Sequence, residues 1–134
     1  MSFGTAVRTC FSKYGDFNGR AKRSEFWWWY VFVIIVTLVP TLAAVIVLAA
    51  SSSAIGQSSG APVVIAIALY AAAIVITLAL MVPTYAVGCR RLHDKGISGW
   101  LQLLVFVPCG NLALIVLWAL AGQPADNQYG PAPA

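Results

Sequence analysis

FNGRAKRSEFWWWYVF, residues Phe17 to Phe32, places Arg20, Lys22, Arg23 and Glu25 within six positions and follows them with Trp27, Trp28, Trp29 and Tyr30. Apolar sequence then runs without a charge to Ala50. Successive residues of an α-helix turn by about 100° and rise about 1.5 Å, so these four rings point nearly all the way round the axis within about 4.5 Å of its length. A core stripe would recur on one face; this is a ring at one depth. Such a ring suits the headgroup boundary of a bilayer, where an amphipathic aromatic keeps its N–H or O–H wet and its body dry. Cations just outside it reach lipid phosphates, and arginine suits bidentate contacts best. The stretch reads as an interfacial anchor that opens a membrane-spanning helix.

The composition agrees. The chain has 134 residues, 60% hydrophobic and 9% charged, against about 25% charged in a typical soluble domain. A chain this small cannot hide so much apolar surface in an aqueous core, so lipid is its expected solvent. The net charge of +4 does not read as a nucleic-acid footprint, because all eight Lys and Arg fall in two patches, Arg8 to Arg23 and Arg90 to Lys95, each beside an apolar run. Basic residues so placed are membrane-flank charges. Cys10, Cys89 and Cys109 have neither metal-ligand spacing nor an even count, and read as small apolar residues.

The segments follow from the apolar runs. Residues 1–25 form a cytoplasmic and interfacial segment in which Phe3, Val7, Phe11 and Tyr14 recur at helical spacing, as in a short helix lying on the membrane surface. Span 1 covers 26–50; at roughly 37 Å of helix it exceeds the ~30 Å hydrocarbon core. Residues 51–62, rich in Ser and Gly, make an uncharged external loop, and Pro62 suits the first turn of the next helix. Span 2 covers 63–89, where alanines 66, 68, 71, 72 and 73, with Ala68 and Ala72 four apart, offer a smooth strip for close helix approach. A polar cytoplasmic loop, 90–99, precedes a third apolar run, 100–121, interrupted by Pro-Cys-Gly-Asn at 108–111. That run is either one kinked span, the preferred reading, or a re-entrant hairpin, which needs its bend buried in protein. The tail, 122–134, is expected to be irregular. The fold class is thus all-α and integral to the membrane, with two long transmembrane helices, a third kinked span or hairpin, and a short N-terminal interfacial helix.

Charge sets the orientation. Both basic patches flank the same ends of the first two spans and the connecting loop has no charge, so the N-terminus and the Arg90 loop are expected in the cytoplasm. Arg90 and Arg91 complement a helix C-terminus, Gly96 suits a left-handed cap, Ser98 an N-cap, and Trp100 enters the interface again. Glu25 and Asp94 are anomalous near an anionic leaflet. Each is expected to pair with an arginine of the opposite patch, Glu25 with Arg91 being the pair to test.

FNGRAKRSEFWW (Phe17 to Trp28), RRLHDKGISGW (Arg90 to Trp100) and DNQYGP (Asp126 to Pro131) together resemble a family of small bacterial inner-membrane proteins catalogued as a domain of unknown function, number eight hundred and five. The pattern carries over to Gly19, Arg20, Arg23, Glu25 and Trp27, then to Arg91, Leu92, His93, Asp94, Gly96, Ser98, Gly99 and Trp100, and finally to Asn127, Tyr129 and Gly130. Leu101 stands where a second tryptophan is common, and Gln128 where arginine is frequent. The resemblance implies a bacterial inner-membrane location and no particular activity.

For acid–base chemistry the candidates are His93 and Asp94, with Cys89 four residues before the histidine as a conceivable nucleophile. Neighbours on a helix point about 100° apart, so His93 and Asp94 do not naturally face one another. No catalytic, cofactor or metal set emerges. A transporter or channel would need oligomerisation and has no ionisable residue within the spans to mark a path. The reading that uses what the chain has is a non-catalytic scaffold or modulator. It would bind anionic lipid headgroups, a membrane-protein partner or further copies of itself through Arg20, Arg23, Glu25, Trp27, Arg90, Arg91, His93, Asp94 and Trp100, and not nucleic acid.

Overall fold

The computed structural model describes residues 1–52 and 60–133, all of them helix, turn or irregular chain apart from one isolated bridge, Asn127 to Gly130. The loop expected at 51–62 falls largely outside the described residues. The elements are α1 (Phe3–Ser12), α2 (Arg23–Ser52), α3 (Ala61–His93), a 3₁₀ helix η1 (Gly99–Phe106) and α4 (Gly110–Ala119).

The local signals explain these bounds. The Ser2 hydroxyl accepts from the Thr5 N–H and caps α1. Glu25 lies in the first turn of α2 and Arg90, Arg91 and His93 in the last turn of α3, each complementing the helix dipole. Gly96, at φ +73°, closes α3 with Gly96 N–H to His93 O at 2.9 Å and Ile97 N–H to Leu92 O at 3.1 Å. This paired pattern needs a residue that tolerates the left-handed region. Ser98 caps η1 by accepting from Trp100 N–H.

The chain divides into two compact units, Val31–Leu80 and Met1–Tyr30 with Met81–Ala134. The first holds the C-terminal part of α2 and the N-terminal part of α3. The most apolar window of α2 has a mean hydropathy of 3.0 with 6% of it buried, and that of α3 a mean hydropathy of 2.8 with 17% buried. A core helix of a soluble protein buries most of such a surface; these present it outward, as helices in lipid do. Among the described residues, Ala44, Ala66, Ala73 and Leu80 are the buried positions of this unit. The buried strip of α3 therefore runs through positions 66, 73 and 80, whereas Ala68 and Ala72 are exposed. Of the alanines singled out by spacing, Ala66 and Ala73 lie on the buried strip, and the Ala68 and Ala72 pair does not.

The second unit departs from expectation in two places. The third apolar run is not one kinked helix. η1 and α4, about 16 and 15 Å long, are each half the ~30 Å of a hydrocarbon core, and they turn back through Val107–Cys109, with Cys109 in the left-handed region. A Cβ at Gly110 would overlap the Leu104 carbonyl, so α4 packs directly on η1. Both ends of the run return to the last turns of α3: Gly99 lies against Cys89, and the Trp118 carbonyl accepts from Arg91.

The aromatic ring is also divided. Trp27 and Trp28 are exposed, but Trp29 is fully buried and its indole N–H donates to Thr84 Oγ1 at 3.0 Å. α1 buries Ala6 and Cys10 and leaves Phe3 and Phe11 exposed, as Tyr14 is just beyond it; Phe3 lies edge-on to Trp28 and Phe11 edge-on to Trp29 at 5.7 and 5.2 Å between centroids.

Candidate functional site

The buried polar residues Arg20, Glu25, Arg90, Arg91 and Asp94 come together in this second unit. Arg20, on the segment between α1 and α2, directs Nε to Asp94 Oδ1 at 2.9 Å and its other nitrogens to the carbonyls of Gln123 and Ala125. Arg91 bonds Asp94 Oδ2 and the carbonyls of Trp118, Leu120 and Ala21. Arg90 bonds Glu25 Oε1 at 2.7 Å. Around this core, Arg23 Nε donates to Leu120 O and Lys95 Nζ to Ala121 O. The last carbonyls of a helix have no partner within it; here α4 and the chain after it give theirs to cations on α2, α3 and the loops.

Both acids thus pair across the two basic patches, as expected, but Glu25 takes Arg90 instead of Arg91. The cause is register: Arg91 is committed to Asp94, three residues on, and to the end of α4. A second correction follows from burial. The guanidinium-bearing side chains of Arg20, Arg90 and Arg91 are at most 1% exposed, so they do not face lipid phosphates. Removing three cations and two carboxylates from water is costly, and the close pairing and carbonyl bonds are what offset it. Arg90 remains underpaired, since its Nε and Nη2 find no partner among the described residues, as is true of Trp118 Nε1. Cys10 adds a thiol 4.0 Å from Glu25 Oε1; burial, and then the Glu25 charge, push its pKa up to about 12.

His93 and Asp94 do not form an acid–base pair. His93 Nδ1 lies 3.2 Å from Gly19 O, an acceptor only, so that nitrogen carries the proton, while Nε2 lies 3.5 Å from Cys89 Sγ. The imidazole stacks on Tyr129 at 3.8 Å with 2° between planes. Asn127 donates to the His93 carbonyl and accepts from Tyr129 N–H, and Gly130, at φ +125°, closes the turn. The tail is irregular but pinned. Among the described residues no group of three His, Cys, Asp or Glu is placed to hold a metal ion.

Of the remaining expected site residues, Arg23 and Trp27 are exposed at the start of α2, and Trp100, 79% exposed, borders a cavity of about 590 Å³ beside His93. Sequence reasoning passed over this cavity. Its signal was Gln102, a lone amide inside the apolar run from Trp100 to Val107.

The sequence pattern of the family described as "Protein of unknown function (DUF805)" matches residues 14–131. Inner membrane protein YhaH of Escherichia coli strain K12 is 44% identical over 55 residues, 40% of this chain and 46% of that protein. Inner membrane protein YhaI of the same strain is 44% identical over 57 residues, 42% of this chain and 48% of that protein. The match spans about half the length of these curated relatives. No solved structure matches the chain significantly.

Proposed function

The chain belongs to the DUF805 family of proteins of unknown function, and from that premise we propose that it is a non-catalytic scaffold or modulator of the bacterial inner membrane that binds anionic headgroups through the outer side of its basic–aromatic segments. One observation carries the reading: the buried arginine–carboxylate network ties the N-terminal segment, the Arg90 loop and the tail into one compact unit. That leaves Arg8, Lys13, Lys22, Arg23 and Lys95 as the outward cations, with Trp27, Trp28 and Trp100 among the exposed aromatics. The inner arginines hold the surface together, and the outer cations and indoles do the binding.

In this reading the N-terminus, the Arg90 loop and the tail share the cytoplasmic side, because eight cations flank the two long helices at one pair of ends. η1 and α4 dip into the lipid from that side and return. The exposed Leu103, Phe106, Leu112 and Val116 support insertion. The bend keeps two hydrogen bonds of its own, Val107 N–H to Leu104 O and Gly110 N–H to Val107 O, but 106–109 are exposed in the single chain, so in this reading a second copy or a membrane partner covers the bend at that depth.

The test separates the two kinds of cation. In detergent-solubilised protein, phosphatidylglycerol should raise Tm, and the combined Lys13→Ala and Lys22→Ala change should remove ~1 kcal/mol of that stabilisation per charge. Arg20→Ala should instead lower Tm with or without lipid. A phosphatidylglycerol effect that survives the outer substitutions intact would defeat the proposal.

A further inference from the structure

The cavity beside His93 lies within the second unit and is distinct from the arginine core. At about 590 Å³ it falls in the range of small-molecule sites. Its walls contain no Asp, Glu, Lys or Arg, so a charged occupant would be buried without a counter-charge. Phe17, Tyr85, Trp100 and Tyr129 supply aromatic surface, and the stack with His93 holds the Tyr129 ring in place.

Gln102 makes the cavity more than a gap. It is 8% exposed, it lines the space, and no protein group among the described residues hydrogen-bonds its carboxamide. Its amide atoms stay accessible from the cavity, so an occupant of the space can reach them. The fit is close: a Cβ at Gly88 would lie 2.6 Å from Gln102 Nε2. Exposed Leu103 and Trp100 border the cavity on η1, whose outer surface is apolar, so a hydrocarbon tail has a route out along it.

We propose that this cavity binds the headgroup of a lipid-soluble quinone, with the flat neutral ring against the aromatic walls and its oxygens held by Gln102. The carboxamide suits both redox states of such a ring. Its N–H groups donate to a quinone carbonyl, and its oxygen accepts from a quinol hydroxyl. A phosphate would bring a charge that no Lys or Arg in the walls balances. The proposal goes beyond headgroup binding and stands or falls separately from it.

The test uses the full chain in phosphatidylcholine nanodiscs, where anionic lipid is absent. Tetramethylbenzoquinone is the probe, its ring fully substituted so that the Cys89 thiol has no free carbon to displace hydrogen from; hexamethylbenzene, of similar shape without oxygens, is the comparison. Equilibrium dialysis should give one saturable site for the quinone and only lipid partition for the hydrocarbon. Gln102→Leu should weaken the quinone at least tenfold, with the circular dichroism spectrum unchanged. Equal uptake of the two probes by the wild-type chain would overturn the proposal, as would saturable binding that a folded Gln102→Leu chain retains. Should the variant fail to fold, the two-probe comparison on the wild type decides alone. Adding phosphatidylglycerol should leave the quinone site unchanged.

Discussion

The buried pair Glu25–Arg90 permits a quantitative test of what the polar core does. Arg90 is fully buried and Glu25 is 4% exposed, with 2.7 Å between Nη1 and Oε1. Glu25→Leu strands a guanidinium that already has two unpaired nitrogens, and losing one partner of a buried ion pair costs about 3–5 kcal/mol. Its effect should lie at the upper end. Arg90→Met should cost less, because it deletes the two orphaned nitrogens and leaves Glu25 beside the Cys10 thiol. The double variant replaces the pair by apolar side chains of similar length, a change that is often neutral or stabilising. Its loss of stability should therefore be smaller than the sum of the two single losses by at least about 2 kcal/mol, well above the ~0.5 kcal/mol scatter of independent sites. Unfolding in mixed micelles by added dodecyl sulfate, followed by tryptophan fluorescence, measures all four corners of the cycle. The Glu25–Arg91 cycle is the control, and its coupling should be smaller. Additive losses at Glu25 and Arg90 would show that the pair does not act as a unit, and the account of the core would fail with it.

Two further outcomes bear on the same region. The Cys10 thiol has its pKa raised by burial from 9.0 to about 12, so the folded state holds the proton that the unfolded state releases first. Its contribution to stability is present below pH 9 and declines as pH rises towards 12. Cys10→Ala should flatten that decline in alkaline unfolding curves, and an unaltered slope would discount Cys10. At Gly122 an added Cβ would overlap the Asp94 carboxylate. Gly122→Ala should cost about 1–3 kcal/mol through overpacking and expose the tail beyond Asp126 to limited proteolysis; a tail as resistant as in the parent chain would mean that it is held elsewhere.

These tests address a core whose members were legible one by one. Arg20, Glu25, Arg91 and Asp94 stood out because each placed a charge beside an apolar run, and crossed pairing followed from the awkwardness of acids near an anionic leaflet. Gly96 and Ser98 were legible for a local reason: a left-handed cap and a hydroxyl N-cap depend on a few neighbouring residues. The two long helices were legible because uninterrupted apolar length is itself the physical requirement for crossing lipid.

What the sequence determined alone is therefore what depends on adjacent residues or on solvent: helix class, length, caps and the lipid setting. Tertiary structure decided the rest. Whether an arginine faces a phosphate or a carboxylate depends on burial: Arg20 and Arg91 turned inward where the end of α4 and the tail brought carbonyls to them, and Arg90 turned inward to Glu25. Whether Trp100 to Ala121 crosses or returns depends on the same contacts, since Pro108 and Gly110 allow both a kink and a turn. Trp29 left its ring for Thr84, and Gln102 came to border a cavity, through contacts with residues many turns away in sequence. Such partners carry no local pattern, because they exist only once the chain has folded.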